Sequence, residues 1–393
     1  MKKFLCLLAV LLPLAGVPSF AQTPQIHGES VVLYDALTGD LLFSRAERQR
    51  RGIASTTKIM TALVALEQYD PEAEVEIRQE WCGVEGSSMY LRPGERLTVS
   101  DLLYGLLLES GNDAAQALAG LDPHGPEAFV DKMNAKAQDL SLSDTQFCNP
   151  SGLDAPEHYS TALDLARLAA AALENPDFAQ IAATRSITLA GRTLNNHNRL
   201  LGEIGACGVK TGYTMACGRC LVSAKREQGR LLICVTLNDR QDWADHKALY
   251  AFGFAQYEAY ALVGAGDCGS IPVYSAEKPS CRLYCNESFS FSLRQAERQR
   301  LQIALAGPRF CYGPVEAGQD YGSLQVLLDG KKLWETPVCF AETIAEQPEQ
   351  RRQLPRWMEK IIQLFGRKTP LKKDCRRFCR KRGSAPAEAR KNT

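Results

Sequence analysis

ASTTKIMTALVALE, residues 54–67, carries two signals at once. Ile59, Met60, Leu63, Val64 and Leu66 recur at three- and four-residue spacing, which predicts a helix with one apolar face, and Ser55 stands at its start. Within that helix Lys58 lies one turn beyond Ser55 on the same face, so its amine reaches the hydroxyl. A serine is a poor nucleophile until a base takes its proton, and a lysine with a depressed pKa can serve as that base. A helix N-terminus adds a favourable field for a developing anion. Taken alone, the same four residues also read as an N-cap serine followed by a solvated lysine.

Outward from this helix the pattern is strand, helix, strand. Before it, Ser30 to Tyr34 and Asp40 to Ser44 are short apolar runs around Leu37-Thr38-Gly39, a hairpin. After it come Asp101 to Leu108 with Ser100 as N-cap, an Ala-rich helix opened by Asp113, and helices at Pro126 to Asp139 and Ala162 to Leu173. Strand character returns at Val209 to Thr214, Leu221 to Ala224 and, past Gln228-Gly229, Leu231 to Leu237. Strands at both ends of a helical middle predict an α+β fold whose antiparallel sheet, built from the two termini, is covered by a helical cluster. This unit spans 22–262, followed by a small all-β domain at 263–345, with alternating runs such as Ser288 to Leu293 and Ser323 to Leu328, and a tail at 346–393.

Two further short motifs fall on this framework. Ser110-Gly111-Asn112 interrupts the helices, and its hydroxyl and amide suit proton relay and amide binding, although a plain helix-breaking turn has the same composition. Lys210-Thr211-Gly212 lies on a late strand, where alternation puts Lys210 and Gly212 on one face and Thr211 on the other, so twist or a bulge must decide which groups meet a cleft. Glycine there lets a substrate backbone pair along the strand edge.

Ser-x-x-Lys, Ser-x-Asn and Lys-Thr-Gly, in this order on a helix start, an interhelical loop and a late strand, resemble the signature of the penicillin-recognising serine enzymes. Within them, ASTTKIMTALVALE, GSSMYLRPGERLTVSDLLYGLLLESGNDAAQALA (86–119), FCNPSGLD with HYSTALDLA (147–166), NNHNRLL (195–201) and GVKTGYT with GRCLVSA (208–224) are similar to the low-molecular-mass D-Ala-D-Ala carboxypeptidases. The resemblance implies that Ser55 attacks the carbonyl between the terminal D-alanines of peptidoglycan stem peptides and that Lys58 accepts its proton. Ser110 and Lys210 then relay a proton to the leaving group, and Asn112 binds the substrate amide. Lys210, Thr211, Gly212 and Tyr213 form the substrate strand, with the Ser55 and Tyr213 N–H groups as oxyanion hole. β-Lactams are expected to acylate Ser55. Neither cofactor, metal nor nucleic-acid partner is implied. The carboxylate-holding arginine of some members has only Arg240 nearby, in NDRQDWADHK (238–247), which leaves Thr211 and Lys210 for that work.

The ends set the compartment. Lys2 and Lys3, the apolar run Phe4 to Leu14 and Ser19-Phe20-Ala21 before Gln22 read as a cleavable signal peptide over 1–21. Net charge is +1, but residues 351–393 hold fifteen basic against three acidic side chains and residues 22–350 hold 29 against 42. Leu354, Trp357, Met358, Ile361, Leu364 and Phe365 share one helical face within that basic tail, which reads as an in-plane anchor on the outer face of the cytoplasmic membrane. Of fourteen cysteines, thirteen survive processing, an odd number that cannot all pair internally; Cys217 and Cys220 point to opposite faces of a strand, which disfavours zinc, and small buried hydrophobes or an occasional disulfide are expected. No Glu-x-x-Leu-Asn lies between Asn112 and Lys210, which disfavours a β-lactamase. A D,D-endopeptidase and a slow β-lactam-binding wall sensor share all three motifs.

Overall fold

The computed structural model describes residues 23–347, so the expected signal peptide over 1–21 and the basic tail beyond Gln347 lie outside the described residues. In chain order the first unit contains β1 (Ser30–Asp35), β2 (Leu41–Arg45), a 3-10 turn (Ala54–Thr57) leading into α1 (Lys58–Gln68), β3 (Glu74–Glu76), β4 (Arg96–Thr98), α2 (Val99–Leu107) and α3 (Asn112–Gly120). It continues with α4 (Pro126–Asp139), α5 (Ala162–Ala172), α6 (Pro176–Ala183), β5 (Ser186–Leu189), β6 (Arg192–Asn195), α7 (Leu200–Glu203), β7 (Gly208–Thr214), β8 (Gly218–Glu227), β9 (Arg230–Leu237) and α8 (Asp242–Phe254).

The α+β reading holds. The main sheet runs β2-β1-β9-β8-β7, every neighbour antiparallel, and the two ends of the unit meet where β1 pairs with β9. Alternation along β1 sends Val32 into the core beneath α1 to α6 and Val31 and Leu33 into a second core against Leu249, Tyr250 and Phe254 of α8. The sheet is therefore buried on both faces.

Local chemistry moved some boundaries. Thr98, not Ser100, caps α2: its hydroxyl accepts from Asp101 N–H at 3.0 Å while the Asp101 carboxylate accepts from Thr98 N–H at 3.0 Å, so the helix begins at Val99. Asn112 rather than Asp113 is the first residue of α3. Helix α8 escaped the periodicity reading because polar His246 is buried in it, bonded to Ser223 and Thr236 on the sheet.

The second unit is all-β: β10 (Glu258–Val263), β11 (Gly266–Tyr274), β12 (Ser280–Cys285), β13 (Phe289–Leu293), β14 (Leu301–Ala306), β15 (Cys311–Tyr312), β16 (Asp320–Leu328) and β17 (Lys331–Phe340). Strand β10 pairs with β13, and the remaining six form one sheet in the order β14-β16-β17-β12-β11-β15. Between the units, Arg230 is wholly buried against Asp35, Ser292 and Glu297. Among the described residues, eleven cysteines are free, and no helix is long and apolar enough to cross a membrane.

Candidate active site

A single backbone decision places Ser55. Ser55 lies in the 3-10 turn, where residues three apart eclipse, so Lys58 stands directly over Ser55 and its Nζ is 2.9 Å from Oγ. Ala54, immediately before, has φ 48, a left-handed conformation that costs a non-glycine residue energy and survives only where its surroundings fix it. They do so closely. Thr57 donates to the Ala54 carbonyl at 2.8 Å and is itself bonded to His158 Nε2 at 2.7 Å. His158 Nδ1 accepts from Cys148 N–H at 3.0 Å, so Nε2 carries the proton, and burial holds the ring neutral with a pKa of about 4.

Lys58 is wholly buried, with Asn112 Oδ1 at 2.7 Å and the Ser151 carbonyl at 2.6 Å as further partners. Three partners fit the three N–H bonds of an ammonium. They equally fit a neutral amine that donates to Asn112 and Ser151 and accepts the Ser55 proton. Desolvation, then the charge of Lys210, pushes the Lys58 pKa well below the ordinary lysine value, against a smaller opposing pull from Asp113. Lys210 is buried too; desolvation lowers it to about 7, offset in part by Glu109.

The Ser-Gly-Asn turn separates α2 from α3, with Ser110 at φ 61. Asn112 donates to the Glu85 carbonyl at 2.6 Å, and the buried Asp113 carboxylate accepts from Ser88 Oγ and from Met89, Leu91 and Ala114 N–H. These bonds fix the 85–91 loop as the opposite wall. Strand β7 shows no register shift against β8, so no bulge turns its residues. It is the last strand of the sheet, and an edge strand meets the cleft with its backbone, which brings Thr211, Gly212 and Tyr213 to it together. A Cβ on Gly212 would sit 3.1 Å from Ile53 O, Ser55 N and Thr56 N, so glycine permits this approach.

Ser55, Ser110, Thr211, Gly212 and Tyr213 thus line one cleft of about 410 Å³; Lys58, Asn112 and Lys210 support it from within. Sequence reading missed other lining groups: Ser87, His197, Arg199, Arg219, Asp242 and Trp243. Arg219 is tied to Asp242 at 2.8–3.0 Å. Arg199 has no ion pair among the described residues, and Arg240 is not part of the lining. The signal for Arg199 was present in NNHNRLL, but spacing assigns it no task.

A serine hydroxyl hydrogen-bonded to a buried lysine, under a glycine-bearing edge strand, is the arrangement of the penicillin-recognising serine hydrolases. The comparisons narrow it. A family model described as D-alanyl-D-alanine carboxypeptidase matches residues 18–241, and one described as Penicillin-binding protein 5, C-terminal domain, matches residues 257–346. D-alanyl-D-alanine carboxypeptidase DacD of Escherichia coli (strain K12) is 32% identical over 351 residues, covering 84% of this chain and 90% of the relative. DacF of Bacillus subtilis (strain 168) is 31% identical over 332 residues, covering 80% and 85%. Among solved structures, penicillin binding protein 5 from Haemophilus influenzae superposes with a TM-score of 0.60 at 28% identity, over 83% of this chain and 99% of that one. The chain belongs to the D-alanyl-D-alanine carboxypeptidase family.

Proposed function

We propose that this cleft hydrolyses the terminal D-Ala-D-Ala bond of peptidoglycan stem peptides through an acyl-enzyme on Ser55. The observation that carries the reading is the Lys58 amine, buried and shared among Ser55, Asn112 and Ser151. Neutral Lys58 takes the Ser55 proton as Oγ bonds to the penultimate D-alanine carbonyl carbon. The oxyanion points to the Ser55 and Tyr213 N–H groups, Asn112 orients the amide, and Ser110 with Lys210 passes a proton to the departing D-alanine nitrogen as the C–N bond breaks. Water then attacks the ester and regenerates Ser55. β-Lactams enter the same path and stop at the ester. Thr211 and Lys210, joined by Arg199, a cleft guanidinium with no ion pair among the described residues, suit the substrate carboxylate. The test is D-alanine release from diacetyl-Lys-D-Ala-D-Ala together with fluorescent penicillin labelling. Both are expected in the wild type and absent in Ser55→Ala, and labelling without release would favour a sensor.

The signal-like N-terminus and the basic amphipathic run after residue 350 support export and attachment to the outer face of the cytoplasmic membrane. Each basic group near an anionic surface contributes roughly 1 kcal/mol and is screened by salt. A chain ending at Gln350 is expected to lose sedimentation with anionic vesicles and keep its activity on soluble peptide; equal sedimentation of both chains would refute the anchor.

A further inference from the structure

Tyr274, Phe310 and Tyr312 form an aromatic patch at one edge of the second unit. They are 54%, 45% and 65% exposed, yet pack on one another with ring centroids 5.4, 5.7 and 6.1 Å apart. Each gains contact with its neighbours while leaving much of its apolar surface in water, which is unfavourable for a folded protein unless something covers it. Arg309, also exposed, precedes Phe310.

Where the patch lies identifies the cover. Tyr274 ends β11 and Tyr312 ends β15, the outermost strand of the six-stranded sheet. The other edge, β14, follows Arg300, whose guanidinium reaches Asp40 of the catalytic unit. Five inter-strand steps of about 4.8 Å, roughly 24 Å in all, separate the two edges. The aromatic edge is also where the described residues end: Gln347 N–H donates to the Ser275 carbonyl at 3.0 Å, next to Tyr274, whose own carbonyl accepts from Gly313 N–H at 2.8 Å. The fifteen basic residues of 351–393 begin four residues beyond Gln347. An aromatic cluster beside the root of a basic, amphipathic segment has the composition of a membrane-interface contact, where rings sit among the headgroups and cations meet anionic lipid.

We propose that Tyr274, Phe310 and Tyr312 form a foot that seats in the headgroup region of an anionic lipid bilayer, beside the C-terminal segment and at the opposite sheet edge from the catalytic unit. This rests on the membrane reading of that segment. The foot supplies a second point of contact, so the two together fix which end of the molecule faces the membrane, as one tether alone does not.

The test uses the mature chain through Thr393 and vesicles of phosphatidylglycerol and phosphatidylcholine. Tyr274→Ser, Phe310→Ser and Tyr312→Ser combined are expected to lower the vesicle partition coefficient about tenfold, with the salt dependence unchanged because no charge is lost. Tryptophan at the same three positions should retain or strengthen binding, and hydrolysis of soluble peptide and thermal midpoint should match the wild type in both variants. Wild-type partition by the serine variant, with binding lost in a chain ending at Gln350, would overturn the foot and leave the anchor standing. Failure of the unaltered chain to bind vesicles would overturn both. Weaker retention of the serine variant on isolated wall polymer with unchanged vesicle binding would assign the patch to glycan instead, and also overturn the foot.

Discussion

Lys58 and Lys210 bring two buried amines to one cleft; burial pushes the Lys58 pKa down, and the charge of Lys210 pushes it further. In the proposed mechanism a base and a charged relay come from the same residue type, differing in partners. Lys58 has three polar partners around its nitrogen, whereas Lys210 donates to the Thr211 carbonyl at 3.0 Å.

The first prediction follows from that pair. Acylation should rise with pH as Lys58 deprotonates and fall again near pH 7 as Lys210, lowered to about 7, loses its charge. The two limbs belong to the coupled pair. Removing the second amine with Lys210→Met should slow acylation and move the rising limb to higher pH, because the charge that depresses Lys58 is gone. Stopped-flow acylation by fluorescent penicillin from pH 5 to 10 measures both limbs; a single rise near the free-lysine value of about 10.4 would contradict Lys58 as the base.

Lys210→Met should also stabilise the fold while it harms the chemistry. The folded-state pKa of about 7 lies below the unfolded value, so between the two the unfolded chain binds more protons and wild-type stability rises with pH. Below about pH 7 the burial cost is present in full. The variant is therefore expected to exceed the wild type by ~2–4 kcal/mol at pH 6, with the difference vanishing towards pH 10.5. Urea unfolding across that range reports the difference, and a gap that widens with pH would contradict the assignment.

Gly212 and Gly152 separate catalytic geometry from folding. Alanine at Gly212 would meet three backbone atoms at 3.1 Å, so β7 or the Ser55 turn must shift by tenths of an ångström. Stability should change little, but acylation should fall about 10- to 100-fold. Gly152 has φ +88, and a Cβ there would lie 2.0 Å from Ala54 O, so Gly152→Ala should cost both stability and labelling. Thermal midpoints and labelling rates of the two variants distinguish the cases; equal midpoint losses would mean Gly212 is merely structural.

The motif residues were legible because their chemistry depends on local spacing: Ser55 and Lys58 share one turn, and Gly212 sits on a strand. What was illegible depends on distant chain segments. No periodicity shows that Ser151, 93 positions from Lys58, turns its carbonyl onto that amine, or that Asp113 holds the 88–91 backbone. Helix α8 stayed hidden because its inward His246 is polar and satisfied by Ser223 and Thr236. Tight 3-10 geometry at Ser55, instead of a helix start, likewise depends on Thr57, His158 and Gly152 meeting around Ala54.

Arg230 supplies the last prediction, on how the two units are held together. Its guanidinium is fully buried, donating to Asp35 at 3.0 Å, to the Ser292 carbonyl at 2.9 and 3.0 Å and to Glu297, with the Tyr257 and Phe291 rings 4.7 and 4.8 Å away. Asp35 closes β1 and Glu297 lies in the second unit, so one cation neutralises a carboxylate from each. Arg230→Ala leaves Asp35 buried without a counter-ion and Glu297 with Arg294 alone, at 3.0 Å, and should cost about 3–5 kcal/mol. Lysine cannot reproduce the forked contacts and should rescue only part. A buried carboxylate stripped of its counter-ion takes up a proton more readily when folded than unfolded, so the variant's deficit should shrink as pH falls from 8 to 5. Combining Arg230→Met with Asp35→Asn and Glu297→Gln removes the uncompensated charges and should recover stability relative to Arg230→Met alone. Urea unfolding of this series at both pH values checks the account, and a deficit for Arg230→Ala that is small or independent of pH would show that the ion cluster does not hold the units together.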